Sequence, residues 1–257
     1  MAFEGDRYEQ IDISLISEKD KEELKASAAS IISGTTAIST SDSSSFTPGK
    51  SLFINTRGIP CLRLPFPPSE LEIGIYGADG SLAYLSTREK RSSGSCILSD
   101  SSKNNVISTK YTWGPGRDPV LRLLGPTAGE IKTVSKYTSR SHKFVMPNGE
   151  IFEWTYKRER GADGKKATLL VLIGKDGSGA EGRRIAQLVR NEETRTPGSK
   201  KSSAGNGGEL VLGQGAEGTI DKPVVVATCL LMLKKEIDRR RAFHAMVLSA
   251  AISGGGA

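Results

Sequence analysis

Groups able to do covalent or metal chemistry are scarce in this chain of 257 residues, which has only two histidines, His142 and His244, and three cysteines, Cys61, Cys96 and Cys229. Nucleophilic hydrolysis needs a base beside its nucleophile, most often a histidine. His142 stands between Ser141 and Lys143 at the start of an expected strand, and His244 stands on an expected C-terminal helix. Neither has a partner that the sequence identifies. Glu150 and Glu153 fall on the wet face of an expected hairpin, a poor setting for a paired acid and base. No Cys or His pair has zinc spacing. Asp176-Gly-Ser-Gly opens like a calcium loop but lacks the further oxygen ligands and the closing Glu. No glycine-rich phosphate loop joins a strand to a helix. The expectation is a protein that is no enzyme, with no catalytic residue, no cofactor and no metal.

Basic side chains are the remaining chemistry. Residues 1–50 carry 5 Lys/Arg against 9 Asp/Glu, whereas residues 51–257 carry 31 against 20. A field of that sign attracts polyanions or an anionic membrane surface. The cations cluster at Arg88, Lys90 and Arg91; at Lys157, Arg158, Arg160, Lys165 and Lys166; at Arg183 and Arg184; and at Lys234, Lys235, Arg239, Arg240 and Arg241. The last three clusters are the candidate anionic-ligand residues, with Arg suited to bidentate contact with phosphate. Nucleic acid is disfavoured, because aromatic residues are only 6% of the chain and Trp154 and Tyr156 are expected to point inward with Phe152.

The elements that position these residues are mostly strands. Residues 1–50 read as an acidic, Ser/Thr-rich, mostly disordered segment, with a short helix through Leu24, Ala28 and Ile31. From 51 onward, short apolar runs alternate with turn chemistry. Asp79-Gly80 and Asn148-Gly149 supply the positive φ of tight hairpins. Further strands are expected at Cys61–Leu64, Val106–Trp113, Ile131–Tyr137 and Glu209–Leu212. In Glu150–Tyr156, Phe152, Trp154 and Tyr156 share one face, the pattern of a sheet with one side buried.

Asp221 and Pro223 then open a helix whose residues Val224 to Leu233 are apolar at almost every angle. Such a helix is enclosed by protein or lipid. Ten residues are too few for lipid, where a span needs about 20. Whether the helix runs on through Ala242 to Ile252 or breaks near Arg241 stays open. About a dozen strands before one enclosed helix suit a barrel whose lumen the helix fills, and with the resemblance given next the expected fold is mainly β, a closed antiparallel β-barrel of about 12 strands, with a tail over 1–50 and the barrel over 51–257, its helix starting near 222.

This layout resembles the C-terminal domain of tubby-like proteins and its relatives, the LURP-one-related proteins and phospholipid scramblases. The segment Lys222 to Arg241 is similar to the ending of filamentous-fungal proteins grouped with that fold. The resemblance implies a barrel around a hydrophobic C-terminal helix; it carries over no ligand-binding residue. Together with the charge pattern it leads to an expected intracellular, cytoplasmic binding protein, peripheral at a membrane or nuclear. It would engage anionic phosphoinositide lipid or an acidic partner. A protein-interaction scaffold without a small ligand stays open as the alternative, and an enzyme using His142 ranks last.

Overall fold

The computed structural model describes residues 46–60, 70–91, 93–112, 117–125, 128–134, 139–160, 166–175 and 181–253. Twelve strands come first: β1 (Pro48–Asn55), β2 (Glu72–Gly77), β3 (Leu82–Thr87), β4 (Cys96–Asp100), β5 (Asn105–Lys110) and β6 (Val120–Leu123). They continue with β7 (Gly129–Val134), β8 (His142–Val145), β9 (Ile151–Arg160), β10 (Lys166–Lys175), β11 (Glu181–Val189) and β12 (Gly208–Gly213). Helix α1 (Lys222–Ser253) follows. Each strand pairs antiparallel with the next, and β12 returns to β1, which closes the barrel and leaves no sheet edge to pair with another chain.

Alternation sorts the side chains. Ile54, Ile75, Leu98, Ile107, Leu121, Ile131, Phe144, Trp154, Leu170, Leu188 and Leu210 line the lumen, each almost fully buried. Val224 to Leu233 of α1 belong to the same apolar cluster, so the enclosed helix fills the barrel. One polar group inside has a built partner. Trp154 Nε1 donates to Thr228 Oγ1 at 2.9 Å, and that hydroxyl donates to the Val224 carbonyl at 2.8 Å. A buried indole N–H left alone would cost about 1–3 kcal/mol.

The two hairpin turns form as their residues demand, with Gly80 at φ 78° and Gly149 at φ 86°. Several boundaries move. β1 begins at Pro48, inside the stretch read as tail, and β5 ends at Lys110 rather than Trp113; β7 covers Gly129–Val134, and residues 135–137 of its expected strand lie outside the described residues. The helix does not break at Arg241: it runs unbroken over 32 residues. The expected strand at Cys61–Leu64 and the expected N-terminal helix and tail up to residue 45 lie outside the described residues.

Two ends can be told apart. Glu217 bridges Lys50 at the start of β1 and Lys222 at the start of α1, each at 3.0 Å. This is the proximal end, where the helix enters. In an up-and-down order the odd strands then run toward the distal end, where the helix leaves the lumen at Leu233, and the even strands return from it.

Candidate functional site

At the distal end, α1 passes between segments that follow β1, β5, β7 and β11, and its side chains turn from apolar to charged without becoming exposed. Lys234, Asp238 and Arg240 are each less than one-tenth exposed. The connecting segments supply hydrogen bonds in place of water.

Glu236 anchors the arrangement. Arg190, directly after β11, donates to it with both terminal nitrogens at 2.8 and 3.0 Å. The Tyr156 hydroxyl and the Gly205 amide, the latter at 2.8 Å, donate as well. Burial alone would raise the Glu236 pKa; the Arg190 charge and these donors outweigh it and hold the carboxyl at about 2. Gly205 has φ +71°, and a Cβ there would lie 2.6 Å from the Leu233 carbonyl. Only glycine lets this loop come close enough to cap the carboxylate.

A second buried pair sits beside it. Lys234 Nζ donates to Asp238 Oδ1 at 2.6 Å, and Tyr111 Oη donates to Asp238 Oδ2 at 2.6 Å. Burial lowers the Lys234 pKa, opposed by Asp238.

Around these pairs lies a group of guanidinium ions met by neutral acceptors. Arg239 donates to the Ser139 carbonyl at 3.1 Å, Arg240 to the Ser202 carbonyl at 3.2 Å, and Arg140 stacks 4.6 Å above the Tyr156 ring. Nη1 of Arg240 and Nε of Arg140 are buried and make no hydrogen bond. Carbonyls and rings satisfy donors without cancelling charge, so this end keeps a positive field. Burial brings the Lys235 pKa down to about 8, opposed by Asp118, with a smaller lowering from Arg239. His142, at the distal start of β8, is 1% exposed and neither ring nitrogen has a partner. Burial first, then Lys235 and Arg239, depress its pKa to about 3, so it stays neutral.

The candidate residues divide between the two ends, and most stand on strands or helix rather than on loops. Lys234, Lys235, Arg239, Arg240 and Arg241 lie at the distal end. Lys157 and Arg158 lie in the last turns of β9, which runs toward the same end, with Arg160 closing that strand and Lys166 opening β10 opposite it. Lys165 lies outside the described residues. Arg183 and Arg184 are at the proximal start of β11. Arg184 is tied to Glu159 and to Gln187, at 2.8 Å, while Arg183 is exposed and donates to the Gln214 carbonyl. They border an open cavity of about 250 Å³ with Phe152, Lys175, Ala216 and Thr219.

Arg140 and Arg190 were not among the sequence candidates, because neither belongs to a cluster. Alternation was the available signal. Arg190 falls two residues after the inward Leu188, and Arg140 two before the inward His142. Among the described residues, no group of three or more His, Cys, Asp or Glu side chains is placed to hold a metal. No described helix is long and apolar enough to cross a membrane.

Comparison of the chain with family models, with curated proteins and with solved structures finds no match.

Proposed function

We propose that this chain is a non-enzymatic binding protein that engages the phosphate groups of an anionic membrane lipid, a phosphoinositide, through the distal end of its barrel. One observation carries the reading: Arg140, Arg239 and Arg240 are held at that end by a ring and two carbonyls, which leave their charge uncompensated. Lys157 and Arg158 on β9 extend the same field toward solvent. Guanidinium and ammonium groups near an anionic surface add about 1 kcal/mol each. Kinship with tubby-like and LURP-one-related proteins is part of the proposal, supported by the closed barrel around a hydrophobic C-terminal helix.

Vesicle co-sedimentation of the full chain at low salt tests it. Neutral phosphatidylcholine vesicles are compared with vesicles containing a phosphoinositide. The protein is expected to pellet with the anionic vesicles only. Lys157→Glu with Arg158→Glu should weaken vesicle affinity about thirtyfold or more, since two reversals remove about 2 kcal/mol or more. Arg183→Glu, at the opposite end, should change it little. Equal recovery on both vesicle types, or equal loss from both variants, would remove the assignment of this end as the lipid site.

A further inference from the structure

The open cavity of about 250 Å³ lies at the proximal end of the barrel, opposite the basic end. Its floor is apolar. Phe152 of β9, Ile185 of β11 and Ala216, in the segment before α1, are almost fully buried members of the lumen cluster. Gly174 of β10 completes that floor. It is paired with Phe152 and follows Leu170 and Leu172 in the inward alternation of its strand, so a side chain at 174 would point inward. The backbone does not ask for glycine there. The φ of Gly174 is outside the left-handed region, and a Cβ would meet only Ile185 Cδ1 at 3.5 Å and the Arg183 carbonyl at 3.9 Å, both ordinary contacts. Gly182 on β11 differs, because a Cβ on it would lie 2.3 Å from the Gly174 carbonyl oxygen. A glycine inside a strand weakens it and leaves nothing to pack. At 174 it keeps open a space that Leu170 and Leu172 fill further along β10.

The rim of the cavity carries one uncompensated cation. Lys175 Nζ lies 3.4 Å from a Glu153 carboxylate oxygen, and Arg184 is tied to Glu159, so both are matched by acids. Glu150, exposed on the opposite lip, accepts a hydrogen bond from Asn148 Nδ2 at 2.9 Å within its own turn. Arg183 is exposed and donates to the Gln214 carbonyl, which satisfies a donor without cancelling the charge. Sites for drug-sized ligands run from about 300 to 1,000 Å³, so this one suits a smaller body, on the order of ten non-hydrogen atoms.

We propose that the proximal cavity binds a medium-chain monocarboxylate, with its hydrocarbon tail over Phe152, Gly174, Ile185 and Ala216 and its carboxylate on Arg183. The tail exchanges water for an apolar floor. The carboxylate takes a charge-assisted hydrogen bond from the guanidinium. This site shares no residue with the lipid-phosphate reading of the distal end, and either can fail without the other.

Equilibrium dialysis of the full chain with radiolabelled octanoate tests this. Octanoate is expected to bind one to one. Octanol, which has the tail without the charge, should bind about tenfold more weakly, and acetate, which has the charge without the tail, should not bind detectably. Gly174→Leu puts a side chain into the cavity and should abolish octanoate binding. Arg183→Gln should weaken octanoate about tenfold and leave octanol unchanged. Circular dichroism checks that the barrel is intact in each variant; should Gly174→Leu not fold, the exposed Arg183→Gln carries the test. Octanol binding as tightly as octanoate, full octanoate binding by folded Gly174→Leu or by Arg183→Gln, or no octanoate binding to the parent chain would each overturn the proposal.

Discussion

Along α1, the residues from Val224 to Leu233 meet a continuous wall of strand side chains, whereas those from Lys234 to Arg240 meet segments that offer carbonyls, amides and counter-charges. Both stretches are largely buried. In the lumen, dispersion and loss of water contact do the stabilising, and one apolar side chain of suitable volume can stand for another at a cost below about 1.5 kcal/mol. At the distal end, each buried charge is tolerable only because a named partner faces it, and removing one partner strands the other. The first stretch specifies a shape. The second specifies identities, which is what recognition of a ligand needs.

The sharpest way to break the comparison is to exchange the chemistry of the two stretches. Leu231 is 3% exposed inside the lumen, with no polar group offered to it. Leu231→Asp should cost several kcal/mol, enough to unfold a domain of ordinary stability. Leu231→Met should cost less than about 1.5 kcal/mol. Thermal denaturation followed by circular dichroism separates the two. Similar melting temperatures for both variants would mean that the helix is not enclosed.

Next in size is the anchor of the distal end. Glu236→Gln keeps the side-chain shape but leaves the Arg190 guanidinium buried without a counter-ion, an expected loss of about 3–5 kcal/mol in urea unfolding. Pairing Glu236→Leu with Arg190→Met removes both charges and should recover much of it. Failure of the double variant to recover would show that the Tyr156 and Gly205 contacts to Glu236 matter more than the charge pair.

The barrel was legible because its signals are local. Asn148-Gly149, the alternation through Phe152, Trp154 and Tyr156, and the unbroken apolar run from Val224 each follow from residues close in sequence. The distal end was legible only in part. The basic tract announced its charge, but its meaning depends on partners far along the chain: Arg190 lies 46 residues from Glu236, and Tyr111 lies 127 from Asp238. Clustering favoured exposed groups such as Lys157 and passed over Arg140 and Arg190, single cations that alternation turns inward. Charge runs report field; only the fold says which charges are already spent on one another.

The smallest effect belongs to His142, which sits where the two regions meet. Its ring faces the lumen side of β8 yet feels Lys235 and Arg239 from the distal stretch. Burial and those cations bring its folded-state pKa down to about 3 from an ordinary 6.5. The unfolded chain therefore takes up this proton first as the solution is acidified. The resulting stability is present above about pH 6.5 and is lost as pH falls toward 3, by about 1.4 kcal/mol per pH unit. The Glu236 carboxyl, held near 2, adds a loss only below its ordinary value of 4.5. The window from 6.5 to 4.5 therefore isolates the histidine from that group. Urea unfolding of the parent chain at intervals across it should show stability falling with acid, and His142→Leu should flatten the slope by about one proton. An unchanged slope would mean that the imidazole accepts its proton in the native state. In that case the lumen side of β8 would be open to water, and the line between the apolar and charged regions would lie deeper in the barrel.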